Sequence, residues 1–197
     1  PMSSELHGHQ VQVYLEGHQV ELRYAAEIPT PIYLRQLRSD PGFQAGSDNA
    51  QAGFDRELLR DLEWGLTVLA NGERLDWERV EPVGPTRKVD SNFAVYQLWL
   101  RAPLPDGARS LNVVNGNIPD EPAYFSSVVF AAPEISIEGL SLLDVDQGKV
   151  IQSRSGTWLL EEQQRELRLA FAVDPGLVVE NPEFREVKAL GTASGDL

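Results

Sequence analysis

Apolar and polar residues alternate from His9 to Tyr14 around Val11 and Val13, and again from Val20 to Tyr24 around Val20, Leu22 and Tyr24. A period of two is that of a strand with one face buried. Glu16-Gly17 lies between the runs, and a two-residue turn there pairs Val13 with Val20 and Val11 with Leu22, all four on one face. Pro29 and Pro31 lack the N–H that a ladder needs, which predicts a strand end near Ala26 or Glu27. Pro31 suits the first turn of a helix capped by Thr30, with Ile32, Tyr33, Leu34 and Leu37 as its buried stripe. Residues 39–53 are rich in Gly, Ser, Asp and Asn and read as a mobile loop. Asp55 to Trp64 reads as a second helix, with Leu58, Leu59 and Leu62 at helical spacing.

The remainder is strand-like. Leu66 to Ala70 and Glu73 to Trp77 flank Asn71-Gly72, a strong hairpin signal. Phe93 to Arg101 is apolar on both faces and reads as a central strand. Leu111 to Val114 and Tyr124 to Phe130 follow, separated by a polar loop. Ile135 to Leu143 and Lys149 to Gln152 are joined by a turn from Asp144 to Gly148, and Glu166 to Val173 alternates with Leu167, Leu169, Phe171 and Val173 inward. Short strands joined by turns predict a mainly β chain: an antiparallel β-sandwich, either Ig-like or made of two small β units, with one or two short helices. Ala131-Ala132-Pro133 is the natural break, giving a β-rich unit over 1–132, a second β unit over 133–176 packed on it, and a tail or linker over 177–197.

Charge removes some functions. Seventeen Lys and Arg against thirty Asp and Glu leave −13. That balance repels phosphate backbones and anionic headgroups, so neither nucleic acid nor an anionic membrane surface is an expected partner. The absence of Cys removes thiol catalysis, zinc-thiolate sites and disulfides. No run reaches the roughly 18 apolar residues that a bilayer span requires. Pro1-Met2 reads as a cloning scar, with a leader or a membrane segment trimmed away.

One run has a family likeness. Val20 to Pro31, VELRYAAEIPTP, resembles a segment in the extracytoplasmic N-terminal domains of bacterial membrane proteins that carry HupE/UreJ-type or nickel/cobalt-permease-like helices downstream. In that family a histidine-containing N-terminus leads into an opening hairpin, whose second strand runs into Ala-Glu-Ile-Pro-Thr and then a helix. Here His7-Gly8-His9 precedes the hairpin and Ala26-Glu27-Ile28-Pro29-Thr30 follows it. Gly65 to Leu75, the Leu104-Pro105-Asp106-Gly107 turn and the Asn-rich loop after Leu111 are similar too, so the likeness spans about the first 130 residues. Asp40, Asp48 and Asn49 are too few to rebuild the family's acidic, calcium-like loop after the first helix, and the transporting membrane helices are absent from this chain.

Candidate ligands are sparse. His7 and His9, at i and i+2, share a strand face and suit Ni²⁺, Cu²⁺ or Zn²⁺, although terminal histidines are commonly just solvated. Asn115, Asn117, Asp120 and Glu121 gather oxygens of the kind Ca²⁺ takes, but without a D-x-D-x-D-G spacing they read first as turn residues. No cofactor is expected beyond such a divalent metal. No nucleophile elbow, phosphate loop or dinucleotide fingerprint is present. Trp99 reads as core. The expectation is a non-catalytic, extracytoplasmic binding or interaction domain, with a link to transition-metal uptake implied by the resemblance. Its partner is then the membrane-embedded remainder of its parent or another extracytoplasmic protein. The alternative is a carbohydrate-active or other hydrolytic β-sandwich using paired carboxylates.

Overall fold

In the computed structural model, which describes residues 6–121, 123–141 and 165–187, the opening hairpin pairs β1 (His7–Leu15) with β2 (Gln19–Pro29). The register is Leu15 with Val20, Val13 with Leu22 and Val11 with Tyr24. It is displaced by two residues from the expected pairing, and the turn is centred on Gly17-His18, closed by the Glu16 N–H on the Gln19 carbonyl at 2.9 Å. Carrying the strand on to Leu15 buries that side chain completely opposite Val20. A slip of two preserves facing, so Val11, Val13, Val20 and Leu22 all point inward as the alternation requires.

β2 continues past its expected end to Pro29. Successive N–H groups of a strand point to opposite neighbours, and the Thr30 N–H bonds the Asn92 carbonyl on one side. The N–H that Pro29 lacks therefore faces the other side, where the pairing with β1 has already ended at Gly8 and Glu27. Proline costs no ladder bond there. Thr30 does not cap α1 (Thr30–Ser39); its hydroxyl donates to the Asp90 carbonyl at 2.8 Å. Tyr33 is the buried residue of this helix, Ile32 and Leu37 pack at its margin, and Leu34 faces outward at 37% exposure. The expected loop over 39–53 contains α2 (Pro41–Gln44), started by the Asp40 carboxylate accepting from the Gly42 and Phe43 N–H groups. It also holds the first turn of α3 (Ala50–Trp64).

The remaining strands among the described residues are β3 (Leu66–Ala70), β4 (Glu73–Arg74), β5 (Glu78–Val80), β6 (Arg87–Val89), β7 (Phe93–Pro103), β8 (Ser110–Asn115), β9 (Ala123–Ala131), β10 (Ile135–Ser141), β11 (Glu166–Val173) and β12 (Arg185–Val187). They form two mostly antiparallel sheets, so the chain is a mainly β sandwich with short helices. The first runs β12-β9-β1-β2-β7-β5, with β6 also on the outer side of β7; the second runs β10-β11-β8-β3-β4. Among the described residues the exception to antiparallel order is β1 with β9, which run parallel. Asn71 and Gly72 take φ of 50° and 81°, the left-handed pair that a tight hairpin needs, and join β3 to β4.

The inner faces share one core: Leu22, Leu98 and Leu100 from the first sheet meet Leu66, Leu111 and Phe171 from the second. Leu167 and Leu169 are inward as expected, and Val173 is partly buried. Ala131 to Pro133 is where the chain leaves the first sheet and enters the second. β10 and β11 then extend the second sheet through the β11–β8 pairing, and in the expected tail β12 pairs with β9. Asp144 to Gly148, Lys149 to Gln152 and Trp158 lie outside the described residues.

Leu100, fully buried in β7, and Leu34, on the outer side of α1, give a direct check. Leu100→Ala should cost about 2–5 kcal/mol and Leu34→Ala no more than about 0.5 kcal/mol in urea unfolding. Equal losses would contradict the assigned helix face.

Candidate functional site

The inward row of β1 is apolar at Val11, Val13 and Leu15 but polar at its start, where His7 and His9 are 1% and 0% exposed. Polar groups placed there need partners. The His9 Nδ1 lies 2.6 Å from the Tyr24 hydroxyl on β2 and 3.2 Å from the Asn115 side-chain amide at the end of β8. The amide nitrogen can only donate, so Nδ1 accepts and the ring is neutral with its proton on Nε2. Phe125 of β9 stacks on the imidazole at 4.7 Å between ring centres. Asn115 in turn accepts the Asn117 N–H at 3.0 Å, and the Asn117 amide donates to the Leu62 carbonyl at 2.8 Å at the end of α3. Arg165 closes the cluster: it donates to the carbonyls of Asn115, Asn117 and Ile118 at 3.1, 2.6 and 3.1 Å, and lies over the Phe125 ring. Ile118 is held at φ 49°, an uncommon conformation for a β-branched residue.

Two sets of residues noted separately in the sequence thus meet in one seam between the sheets. The oxygen-rich loop divides: Asn115 and Asn117 are buried and structural, whereas Asp120 and Glu121 are exposed. The His9 Nε2 and His7 Nδ1 are buried without hydrogen-bond partners. No group of three or more His, Asp or Glu able to hold a metal ion occurs among the described residues. Burial, then the Arg165 charge and His7, hold the His9 pKa down to about 3. Burial lowers that of His7 against the opposing charge of Glu121. Burial likewise lifts the Tyr24 phenol well above its ordinary range.

A second polar assembly was not visible in the sequence. An open cleft of about 430 Å³ lies between α3 and the β6–β7 edge, with Asp55, Arg56, Arg79, Thr86, Arg87 and Tyr96 among its walls. Its floor is a fixed network. The Asp55 Oδ1 accepts from the Tyr96 hydroxyl and the Gln51 amide, each at 2.8 Å, while its Oδ2 lies 3.5 Å from Arg87. Arg87 and Gln51 also reach the Tyr33 hydroxyl at 3.3 Å. Burial works against the charge of Arg87, but Tyr33 and Asp55 outweigh it and raise its pKa. Burial and the neighbouring Asp55 push the Tyr96 phenol far up. Arg79 pairs with Glu63 at the rim. An adjoining cavity of about 280 Å³ shares Leu59, Arg79 and Thr86 and adds Glu81, Gln97 and Trp99. Buried tyrosines on inward strand and helix positions, whose hydroxyls require partners, are the one signal that could have revealed either assembly.

Trp99 differs from expectation. Trp99 lies on the outer face of β7, half-buried, with the Arg23 guanidinium 4.0 Å from its ring centre and equally close to Tyr14. The alternating burial of β7 assigns its even positions to the core, so Trp99 packs under an arginine instead. Trp64 is 73% exposed.

The chain matches no known family model, and no curated protein matches it.

Two outcomes follow from the seam. A Cβ at Gly65 would run into the buried Asn117 side chain, whereas Gly53, inside α3, faces open space. Gly65→Ala should therefore cost about 2 kcal/mol or more, and Gly53→Ala should stabilise by about 0.5–1 kcal/mol, both read in chemical denaturation. His9 binds its proton less readily when folded than when unfolded, where its pKa is about 6.5. Its contribution is complete above that value and is lost as pH falls from 6.5 towards 3. The stability difference between wild type and His9→Gln should shrink by a few kcal/mol across that window. A difference that stays constant with pH would show that His9 is not buried as a neutral ring.

Proposed function

We propose that this chain is a non-catalytic, extracytoplasmic binding domain of a bacterial membrane protein of the HupE/UreJ or nickel/cobalt-permease-like kind. The observation that carries the binding part is the open cleft under α3, of about 430 Å³, a size usual for small-molecule sites. On its floor Asp55, Tyr96 and Arg87 are locked in mutual hydrogen bonds and an ion pair, an arrangement suited to holding a ligand in place. The extracytoplasmic part rests on the Ala26 to Thr30 run. A hairpin strand that delivers this run directly into α1 is the element succession the resemblance implies. A link to metal uptake rests on the resemblance alone; no group of three or more ligating side chains converges among the described residues.

Hydrolysis by paired carboxylates draws less support. Glu16 and Glu21 share a cavity of about 330 Å³ on the outer face of the first sheet, but Glu21 is gripped by Arg23 at 2.7 Å and Arg101 at 2.9 Å. Trp99 is not part of this cavity's wall, and Arg23 lies over its ring.

The full reading frame, expressed in a Gram-negative host, tests the proposal. The domain should sediment with membranes and be cut by protease added to spheroplasts but not to intact cells. A domain that stays soluble and protected in spheroplasts would overturn it.

A further inference from the structure

We propose that the cleft under α3 binds the oxyanion group, carboxylate or phosphate, of a small ligand, with Arg56 as its free arm and Arg87 as its fixed floor. This deepens the binding-domain reading and rests on it.

The argument is one of local charge. At physiological ionic strength charges are screened beyond about 8 Å, so the chain's overall −13 matters less at the cleft than the groups lining it. Those groups are the guanidiniums of Arg56, Arg79 and Arg87, set against Asp55 and the Glu63 carboxylate that pairs with Arg79. Both carboxylates are engaged. The Asp55 Oδ1 already receives Tyr96 and Gln51, and Arg87 lies 3.5 Å from its Oδ2, so the Asp55 charge is already balanced by a cation within the cleft. Arg56, exposed on α3, has no hydrogen bond or ion pair among the described residues, which leaves one guanidinium in excess. Tyr33 and Asp55 hold Arg87 in one geometry, so little side-chain freedom is lost when a ligand meets it. Guanidinium is the group whose planar fork matches carboxylate and phosphate oxygens. The adjoining cavity carries Glu81 and Gln97, which suit a neutral or hydrogen-bonding part of the ligand and disfavour a second anion at that end.

Titration calorimetry with succinate and with inorganic phosphate tests this on the whole chain. At least one probe should bind, with affinity falling as salt is raised. Arg56→Gln should weaken binding about tenfold or more. Arg60→Gln, which removes an arginine that lies over Trp64 on the same helix, should change it less than about twofold. Binding of succinate alone assigns a carboxylate ligand, and of phosphate alone a phosphate ligand. Circular dichroism on Arg56→Gln checks that the fold is kept, which is expected for an exposed position. The proposal is overturned if neither probe binds at about 10 mM, far weaker than specific sites bind, or if Arg56→Gln binds as wild type does. Such a failure leaves the spheroplast result untouched, so the cleft assignment and the location of the domain stand or fall separately.

Discussion

The alternation of β1 governs the rest of the molecule. Odd positions from His7 to Leu15 face the second sheet, and they carry two kinds of side chain. Val11, Val13 and Leu15 need only close packing, which the opposite sheet provides. His7 and His9 stand on the same face at the same depth, and His9 draws Tyr24 from β2, Asn115 from β8 and Phe125 from β9 around it. Through Asn117 and Arg165 the network reaches the end of α3 and the start of β11. One polar residue on an inward strand position thus sits where five strands, a loop and a helix end meet. Such a network specifies geometry more than it adds stability, because leaving any member unpaired is costly.

Local pattern carries the strands well because period-two burial is a short-range property. The Asn71-Gly72 hairpin, β7 and β11 are readable from a few residues each, and the opening hairpin keeps its facing although its register moves by two. Other features depend on distant partners. Asp40 starts α2 inside a stretch whose composition reads as loop, and β12 is a strand because β9 offers it an edge. Leu34 and Trp99 were placed inward by their apolarity. Helix phase and strand parity decide otherwise, and Arg23 supplies the cover for Trp99. The site shows the same division. His9 and Asn115 each stand out in the sequence, but their contact spans 106 residues. Arg56, Arg79 and Arg87 look like ordinary surface charges until α3 is laid beside β6 and β7.

The two polar assemblies use similar chemistry to different ends. In the seam, aromatic rings and main-chain carbonyls surround Arg165, and three carbonyls from one loop receive its donors. The side chain is a staple. In the cleft, Arg87 is held from one side by Tyr33 and Asp55 while its surroundings remain open. The partners separate the two guanidiniums: loop carbonyls take up the donors of Arg165, whereas Arg87 borders an open cavity.

The parallel pairing of β1 with β9 sets an order of events during synthesis. β1 can form its hairpin with β2 as soon as Pro29 has left the ribosome, but its other edge pairs with Ala123–Ala131. Until that segment emerges, a nine-residue strand carries unpaired N–H and C=O groups along one side. Non-local parallel contacts of this kind form slowly because a long loop must close first. A chain that stops before Ala123 keeps that edge permanently open, ready to pair with the same edge of another copy.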